Sequence, residues 1–196
     1  MSASELPLFP LRTVLFPGGT LHLRIFEPRY LQLVRECTRL GRPFGVCLIL
    51  AGREAGRPAI PARVGTEARI VDFYTLPDGL LGIACRGEGR FRVLGLRVRD
   101  NGLLIGEVEP FALEAPRALP PEFGLLAVLL ERMIERIGAA FGSFSRGDLD
   151  EAGWVGMRLA ELLPLELEER QELLESEDAI ARLRRIAELL PRFQRD

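Results

Sequence analysis

The sequence predicts an α+β protein in which a small, partly closed β-barrel with one early helix is followed by a C-terminal helical bundle. Two patterns support this prediction. Residues 1–110 have the pattern of strands and turns with one short helix, and at 20–25 apolar and polar side chains alternate as in a half-buried strand. After the proline-rich stretch 114–121 the apolar period becomes that of amphipathic helices. We therefore predict a barrel subdomain at 1–117 and a helical subdomain at 118–196.

The first elements of the barrel are an alternating strand, a helix and a central strand. Residues 20–25 alternate apolar and polar side chains, which predicts a half-buried strand. Pro28 suits the first position of a helix, and Gly41 is expected to end it. Residues 44–50 are apolar on both faces, as in a central strand. The Gly-, Pro- and Ala-rich residues 51–61 are predicted to form a surface loop.

The rest of the barrel is predicted to be a meander of short strands. Turn signals that contain glycine separate its apolar segments, and Asp100-Asn101-Gly102 is a strong hairpin signal. The predicted strands are 68–76, 80–86, 90–98 and 103–109, and the predicted turns between them are 77–79, 87–89 and 100–102.

The second half predicts four helices. Asp148 with Glu151 resembles a capping box that opens a helix ended by Pro164. A short helix over 168–175 follows, and Ser176 is the candidate N-cap of the last helix. The predicted apolar stripes are Leu126, Leu130, Met133 and Ile137 in the first helix and Ile180, Leu183, Ala187 and Leu190 in the last.

The composition excludes several kinds of catalysis. All 26 basic residues are arginine. Without lysine the chain has neither the P-loop lysine that binds phosphates nor the amine of Schiff-base and Ser–Lys chemistry. His22 is the single histidine, so a multi-histidine metal site is excluded within one chain. Cys37, Cys47 and Cys85 are odd in number and lack C-x-x-C spacing, which argues against a disulfide framework or a zinc site. No cofactor or metal is predicted.

Charge and hydropathy favour a cytoplasmic protein without a membrane segment. The N-terminus lacks the pattern of a signal peptide, and no apolar run approaches the roughly 20 residues that span a bilayer. Residues 1–117 carry a net charge of +4 and residues 118–196 a net charge of −6. A mild positive charge spread over the first subdomain is not by itself a nucleic-acid footprint.

No group of side chains indicates a reaction. His22 falls on the polar face of its strand and the cysteines on apolar faces, so a Cys–His nucleophile pair is not favoured. The clustered carboxylates at 148–151 and 166–169 lie at predicted helix starts, where acids stabilise the helix dipole. Arginines 90, 92, 97 and 99 form either a solvated strand face or a patch for an acidic partner or RNA phosphate. No catalytic residue is predicted.

Several short motifs, taken in order, resemble the N-terminal domain of Lon protease. They are Leu6-Pro7-Leu8-Phe9-Pro10-Leu11, Val14-Leu15-Phe16-Pro17-Gly18, Phe26-Glu27-Pro28-Arg29-Tyr30, Gly89-Arg90-Phe91-Arg92-Val93 and Leu162-Leu163-Pro164-Leu165. The chain is most similar to stand-alone bacterial members of that family, which lack the ATPase and protease domains. The resemblance implies a PUA-like mixed β-barrel followed by a helical bundle, and a non-enzymatic module that recognises polypeptide substrates.

The resemblance also suggests where a ligand would bind. Its expected partners are unfolded or extended polypeptide, or a partner protein. Phe26, Glu27, Arg29 and Tyr30 are the candidate polypeptide-binding residues, because the exposed side of this segment could border a binding groove. PUA-like barrels also occur in RNA-binding proteins, so an RNA-binding module remains the alternative. Salt dependence separates the two, since phosphate contacts weaken steeply with salt.

Overall fold

The structure is a computed structural model that describes residues 4–54, 59–111, 114–142 and 144–193. The chain divides into two compact units, Met1–Ala112 and Leu113–Asp196. In the described residues, the first unit contains the strands and one α-helix and the second unit is helical. This combination of a sheet with helices confirms the predicted α+β class.

The first unit is built on a seven-stranded mixed sheet. Its elements are β1 (Ser4–Leu11), β2 (Thr20–Ile25), α1 (Pro28–Leu40), β3 (Phe44–Ala51), β4 (Ile60–Pro61), β5 (Val64–Thr75), β6 (Leu81–Val98) and β7 (Leu104–Pro110). The strand order is β1-β7-β6-β5-β3-β4, and β2 pairs with β6. β1 also pairs with β3, in parallel, so that the path through five strands returns to β1. The other strand pairs are antiparallel.

Helix α1 begins and ends where the sequence predicts. Pro28 occupies its first turn, where the missing amide hydrogen costs nothing. Gly41 has a φ of 60°, and its amide donates to the carbonyls of Cys37 and Thr38. A left-handed residue of this kind ends a helix by satisfying its last carbonyl groups.

Apolar side chains fill both faces of the sheet. One cluster packs α1 against the sheet and includes Tyr30, Leu33 and Cys37 of the helix. A second cluster consists of Leu6, Leu8, Cys47, Phe91, Val93, Leu104 and Val108, all from strands. Because alternate residues of β1, β3 and β7 belong to opposite faces, these strands are apolar almost throughout, as predicted for residues 44–50.

Glycines provide space within the second cluster. A Cβ atom on Gly65 would overlap the Val46 carbonyl oxygen and lie 2.7 Å from Cys47 Sγ. A Cβ atom on Gly45 would lie 2.6 Å from Leu8 Cδ2. Real side chains cannot approach this closely, so glycine is required where these strands cross the cluster.

Strand β6 corrects one prediction and refines others. The predicted turn at 87–89 is wrong, because β6 runs without interruption through those residues. A Cβ atom on Gly87 would overlap the Phe16 carbonyl oxygen, and Gly87 exchanges backbone hydrogen bonds with Gly18 and Gly19 at 2.8 Å. Glycine at this position therefore permits close approach of a neighbouring loop rather than a turn.

Other boundaries in this unit also differ from the prediction. β5 begins at Val64, four residues earlier than expected, and β4 lies within the predicted loop 51–61. Residues 55–58 of that loop lie outside the described residues. The predicted hairpin at 100–102 is confirmed, since the amide of Gly102 donates to Arg99 and Gly102 has a φ of 82°.

The second unit contains five α-helices in its described residues. They are α2 (Gly124–Ile137), α3 (Arg146–Leu149), α4 (Ala152–Leu162), α5 (Leu167–Glu175) and α6 (Ala179–Leu189). Short 3₁₀ helices cover Pro121–Phe123, Gly138–Phe141 and Leu190–Phe193. α4 contacts α2, α3, α5 and α6, and is therefore the central helix of this unit.

The caps of these helices differ from the predicted ones. Ser145 and Asp148 form a capping box that opens α3, and Glu151 caps α4 by accepting from Gly153 and Trp154. Asp178, rather than Ser176, caps α6, because Asp178 Oδ1 accepts from the amide of Ile180 at 2.7 Å. The predicted caps were wrong by a few residues because several polar side chains compete near each helix start.

The buried stripes also shift. In α2 the buried residues are Leu126, Leu130 and Ile134, whereas Ile137 is exposed. In α6 Ala187, which was predicted to be buried, is exposed, and Ile186 and Leu189 are buried. The helical period of the apolar residues was predicted correctly, but in both helices the buried face is rotated about the helix axis from the predicted one.

A buried arginine joins three segments of the second unit. Arg182 is fully buried and lies on α6. Its Nε donates to the Leu173 carbonyl at 2.9 Å and its Nη2 to the Ser176 carbonyl at 2.6 Å, while the guanidinium forms a two-point ion pair with Glu114. Gly156 leaves room for this side chain, since a Cβ atom there would lie 3.2 Å from Arg182 Cδ.

We predict that Gly65→Ala destabilises the first unit by about 3 kcal/mol, because the new methyl group has backbone on one side and packed side chains on the other. Gly89→Ala is the matched control, since its Cβ atom would meet only Glu67 Oε2, at 3.9 Å. Urea unfolding measures both. Equal midpoints for the two variants would contradict the packing argument.

We predict that Arg182→Met lowers the free energy of unfolding by roughly 3–5 kcal/mol, because it leaves the Glu114 carboxylate and two carbonyl groups without their donor. Arg184→Met is the control, since Arg184 is exposed on the same helix. Adding Glu114→Gln to Arg182→Met should recover part of the loss. Additive effects in this double-mutant cycle would show that the two side chains are not coupled.

Candidate functional site

The cysteines are buried and unreactive in character. Cys37, Cys47 and Cys85 are free thiols inside the apolar clusters. Burial raises the pKa of Cys37 to about 11 and those of Cys47 and Cys85 to about 12. A thiol is a nucleophile only as the thiolate, so these side chains act as small apolar groups at neutral pH.

His22 lies on the exposed side of β2 and faces Tyr74. Its Nδ1 is 3.4 Å from the Tyr74 hydroxyl oxygen, and the two ring centroids are 6.0 Å apart. None of the three cysteines is a partner of this ring in the described residues. Nor do the described His, Cys, Asp and Glu side chains form a group of three that could hold a metal ion.

The carboxylates that cluster in the sequence accept hydrogen bonds from backbone amides at the N-termini of helices. Asp148 and Glu151 cap α3 and α4, and Glu169 accepts from the Glu166 amide at 3.0 Å at the start of α5. Burial raises the pKa of Glu67, and the Glu88 carboxylate adds to this shift. The Glu88 carboxylate forms an ion pair with Arg69. Glu67 and Glu88 therefore do not have the arrangement in which one carboxyl group acts as general acid and the other as general base.

The four arginines of β6 and its hairpin are engaged inside the first unit. The guanidinium groups of Arg90 and Arg92 lie over the Phe111 ring, 4.3 and 5.1 Å from its centroid. Arg97 pairs with Glu5 at 2.8 Å, and Arg99 pairs with Glu36 at 2.8 Å. These contacts use the cations within the fold, which weakens the interpretation of this set as a phosphate-binding patch.

The segment Phe26–Tyr30 follows β2 and includes the first residues of α1. Its Arg29 and Tyr30 side chains are buried. Arg29 is buried, pairs with Glu27 at 3.0 Å, and donates to the Gly102 carbonyl at 3.1 Å and the Glu54 carbonyl at 3.3 Å. The arginine therefore ties the start of α1 to two loops.

Tyr30 and Phe26 differ sharply in exposure. The Tyr30 ring is buried and stacks on Phe9 with centroids 3.8 Å apart, and burial raises the pKa of its hydroxyl to about 12. Phe26 has 56% of its surface exposed. Of the four candidate residues, Phe26 is exposed and Glu27 half-buried, whereas Arg29 and Tyr30 are buried.

The structure adds exposed apolar side chains that sequence reasoning missed. Leu94, Leu96 and Val98 are each about half exposed along β6. A register shift between Val93 and Gly95 changes the side-chain alternation at this point. The signal was present in the sequence, because the apolar positions change from 91 and 93 to 94, 96 and 98, which indicates a bulge.

A second exposed apolar pair lies on β5. Val71 is 58% exposed and Phe73 is 46% exposed. A register shift between Ile70 and Asp72 accompanies them. Apolar side chains left on a strand surface in this way are candidate contacts for another polypeptide.

No helix among the described residues combines the length and the apolar character that crossing a bilayer would require.

Comparison with known proteins gives one consistent result. Residues 5–192 match the model of the substrate-binding domain of ATP-dependent protease La (Lon). A Lon N-terminal domain protein from Xanthomonas campestris is 49% identical, with a TM-score of 0.78 over 96% of this chain and 98% of that one. The N-terminal domain of a Mycobacterium avium complex Lon protease, 16% identical, shares the fold with a TM-score of 0.67 over 94% of this chain and 97% of that one.

A curated relative is much longer than this chain. The Lon protease of Anaeromyxobacter dehalogenans is 26% identical over 196 residues, which cover 95% of this chain but 23% of that protein. The match thus involves one part of the protease. Since the family model extends over both compact units, the chain belongs to the family of Lon substrate-binding domains.

Proposed function

We propose that this protein is a non-enzymatic module that binds unfolded or extended polypeptide, or a partner protein. The observation that carries the proposal is the match to the Lon substrate-binding domain over residues 5–192. The buried cysteines and the capping carboxylates support a binding role rather than catalysis. The proposal places the protein in the cytoplasm, in keeping with thiols that are not joined as disulfides.

The proposed fold is the PUA-like barrel with a helical bundle that the resemblance implies. The path of paired strands that returns to β1 supports a barrel in the first unit. The central position of α4 among four other helices supports a bundle in the second. The proposed subdomains are 1–117 and 118–196.

Exposed apolar side chains would supply the affinity. Phe26 is the proposed contact within the segment Phe26–Tyr30, with Glu27 beside it and with Arg29 and Tyr30 as positioning residues. Binding through exposed apolar surface is broad in specificity, because selectivity requires placed polar groups. Such a surface suits a module that meets many unfolded sequences.

We predict that a labelled unstructured polypeptide without charged side chains binds saturably in a fluorescence-anisotropy titration and that its binding changes little between low and moderate salt. Phe26→Ser should weaken it roughly threefold to tenfold, because part of an aromatic side chain no longer leaves water. Leu125→Ser is the control, since Leu125 is 82% exposed in the second unit. Unchanged unfolding midpoints would confirm that both variants are folded.

The same titration with labelled single-stranded RNA tests the alternative. Salt-sensitive binding of RNA alone would overturn the proposal in favour of the RNA-binding module. If Phe26→Ser and Leu125→Ser weaken polypeptide binding equally, the contact proposed for Phe26 is wrong.

A further inference from the structure

A small cleft lies where the C-terminal end of α1 meets β5. We name it the α1–β5 cleft; Thr38, Gly41, Arg42, Ile70 and Phe73 line it, and its volume is about 140 Å³. Arg69 Nη1 donates to the Gly41 carbonyl at 2.9 Å and holds its two walls together. Ile70 and Phe73 give the cleft one apolar wall, Thr38, Arg42 and Arg69 make the rest polar, and its volume is enough for one small apolar side chain.

Three exposed arginines lie on α1 or directly after it, and one of them, Arg42, lines the cleft. Arg35 and Arg39 are one turn apart on α1, and Arg42 follows its C-cap; together they form the arginine strip. Arg69 and Arg99 nearby pair with Glu88 and Glu36. Within the described ranges, by contrast, no carboxylate lies within ion-pair distance of the strip. Arg39 lies in the last turn of α1, where a cation is favourable, and its charge helps to lower the pKa of Glu36, whereas the like charges of Arg35 and Arg39 four residues apart repel weakly.

The neighbouring strand edge is open. Residues 69–75 of β5 pair with β6 on one side, and no strand in the described part of the chain pairs with them on the other. Val71 and Phe73 are exposed there. The Phe73 amide already donates to Asp72 Oδ1 of its own strand, at 2.8 Å. An open edge beside a cleft with an apolar wall suits an extended polypeptide.

We propose that the α1–β5 cleft and the arginine strip bind an acidic, apolar segment of polypeptide. One apolar side chain enters the cleft, and neighbouring carboxylates contact Arg35, Arg39 and Arg42. This inference rests on the proposed function and adds to it the charge of the preferred ligand. The complementarity is electrostatic, because the strip is cationic and none of its guanidinium groups forms an ion pair with a carboxylate of the described residues.

The same surface is less suited to RNA. Binding of single strands without sequence preference relies on successive aromatic side chains on which bases stack. Phe73 is the one aromatic side chain among the described residues that line the cleft. An open strand edge offers backbone groups that match a polypeptide instead.

The test compares two labelled unstructured polypeptides that differ only in charge, one with leucine among glutamates and one with each glutamate replaced by glutamine. The full chain should bind the acidic probe about tenfold more tightly at low salt. The triple variant Arg35→Gln, Arg39→Gln, Arg42→Gln should lose this preference and should bind the neutral probe as before. A roughly tenfold effect is the size expected from three exposed ion pairs, each of which contributes little.

Two controls separate the contributions. The triple variant Arg132→Gln, Arg136→Gln, Arg184→Gln makes the same charge change at exposed positions of the second unit and should keep the preference. Phe73→Ser should weaken both probes severalfold, whereas Val128→Ser, with similar exposure in the second unit, should leave them unchanged. If the first triple variant is unfolded, Arg39→Gln alone should reduce the preference about twofold.

The outcomes distinguish this inference from the proposed function. Equal binding of the acidic and neutral probes, or a preference that survives the first triple variant, would overturn the inference and leave the binding module intact. Failure to bind either probe would overturn both. Competition by single-stranded RNA that depends on the arginines but not on Phe73 would assign the strip to nucleic acid and also overturn the inference.

Discussion

The pairing of β1 with two strands at once constrains the rest of the first unit. β1 meets β7 in antiparallel register and β3 in parallel register, so Leu8 lies opposite both Leu104 and Gly45. Side chains on one face of these strands are therefore closely packed. Glycine at 45 in β3 and at 65 in β5 leaves the space that these side chains occupy. The other face packs against α1, and the two surfaces proposed to bind ligand lie near the two ends of this helix.

Buried guanidinium groups hold loops and helix ends in both units. Arg29 joins the start of α1 to the carbonyls of Glu54 and Gly102, and Arg182 joins α6 to Glu114 and to the end of α5. A planar guanidinium can satisfy several acceptors at fixed angles, which an ammonium group does less well. Arginine therefore suits the buried positions 29 and 182 better than lysine would.

Exposure separates structural from candidate binding residues within short segments. Arg29 and Tyr30 are buried next to the exposed Phe26, and Cys37 is buried next to the exposed Thr38 and Leu40. The arginines follow the same division, because Arg69, Arg97 and Arg99 have carboxylate partners whereas the arginine strip has none in the described residues. Phe26 and the arginine strip are exposed and are therefore accessible to a ligand.

The sequence by itself determined the α+β class, the limits of α1, the hairpin at 100–102 and the absence of lysine chemistry. Each of these depends on neighbouring residues, such as Pro28 and Gly41 at the ends of one helix. Only the tertiary structure decided that Gly87 lies within β6, that Tyr30 is buried, and that α1 and β5 enclose a cleft. These features depend on atoms distant in the chain, such as the Phe16 carbonyl against Gly87 and Arg69 against the Gly41 carbonyl. Local periodicity carries no information about such contacts, because the same pattern of apolar residues is compatible with many pairings.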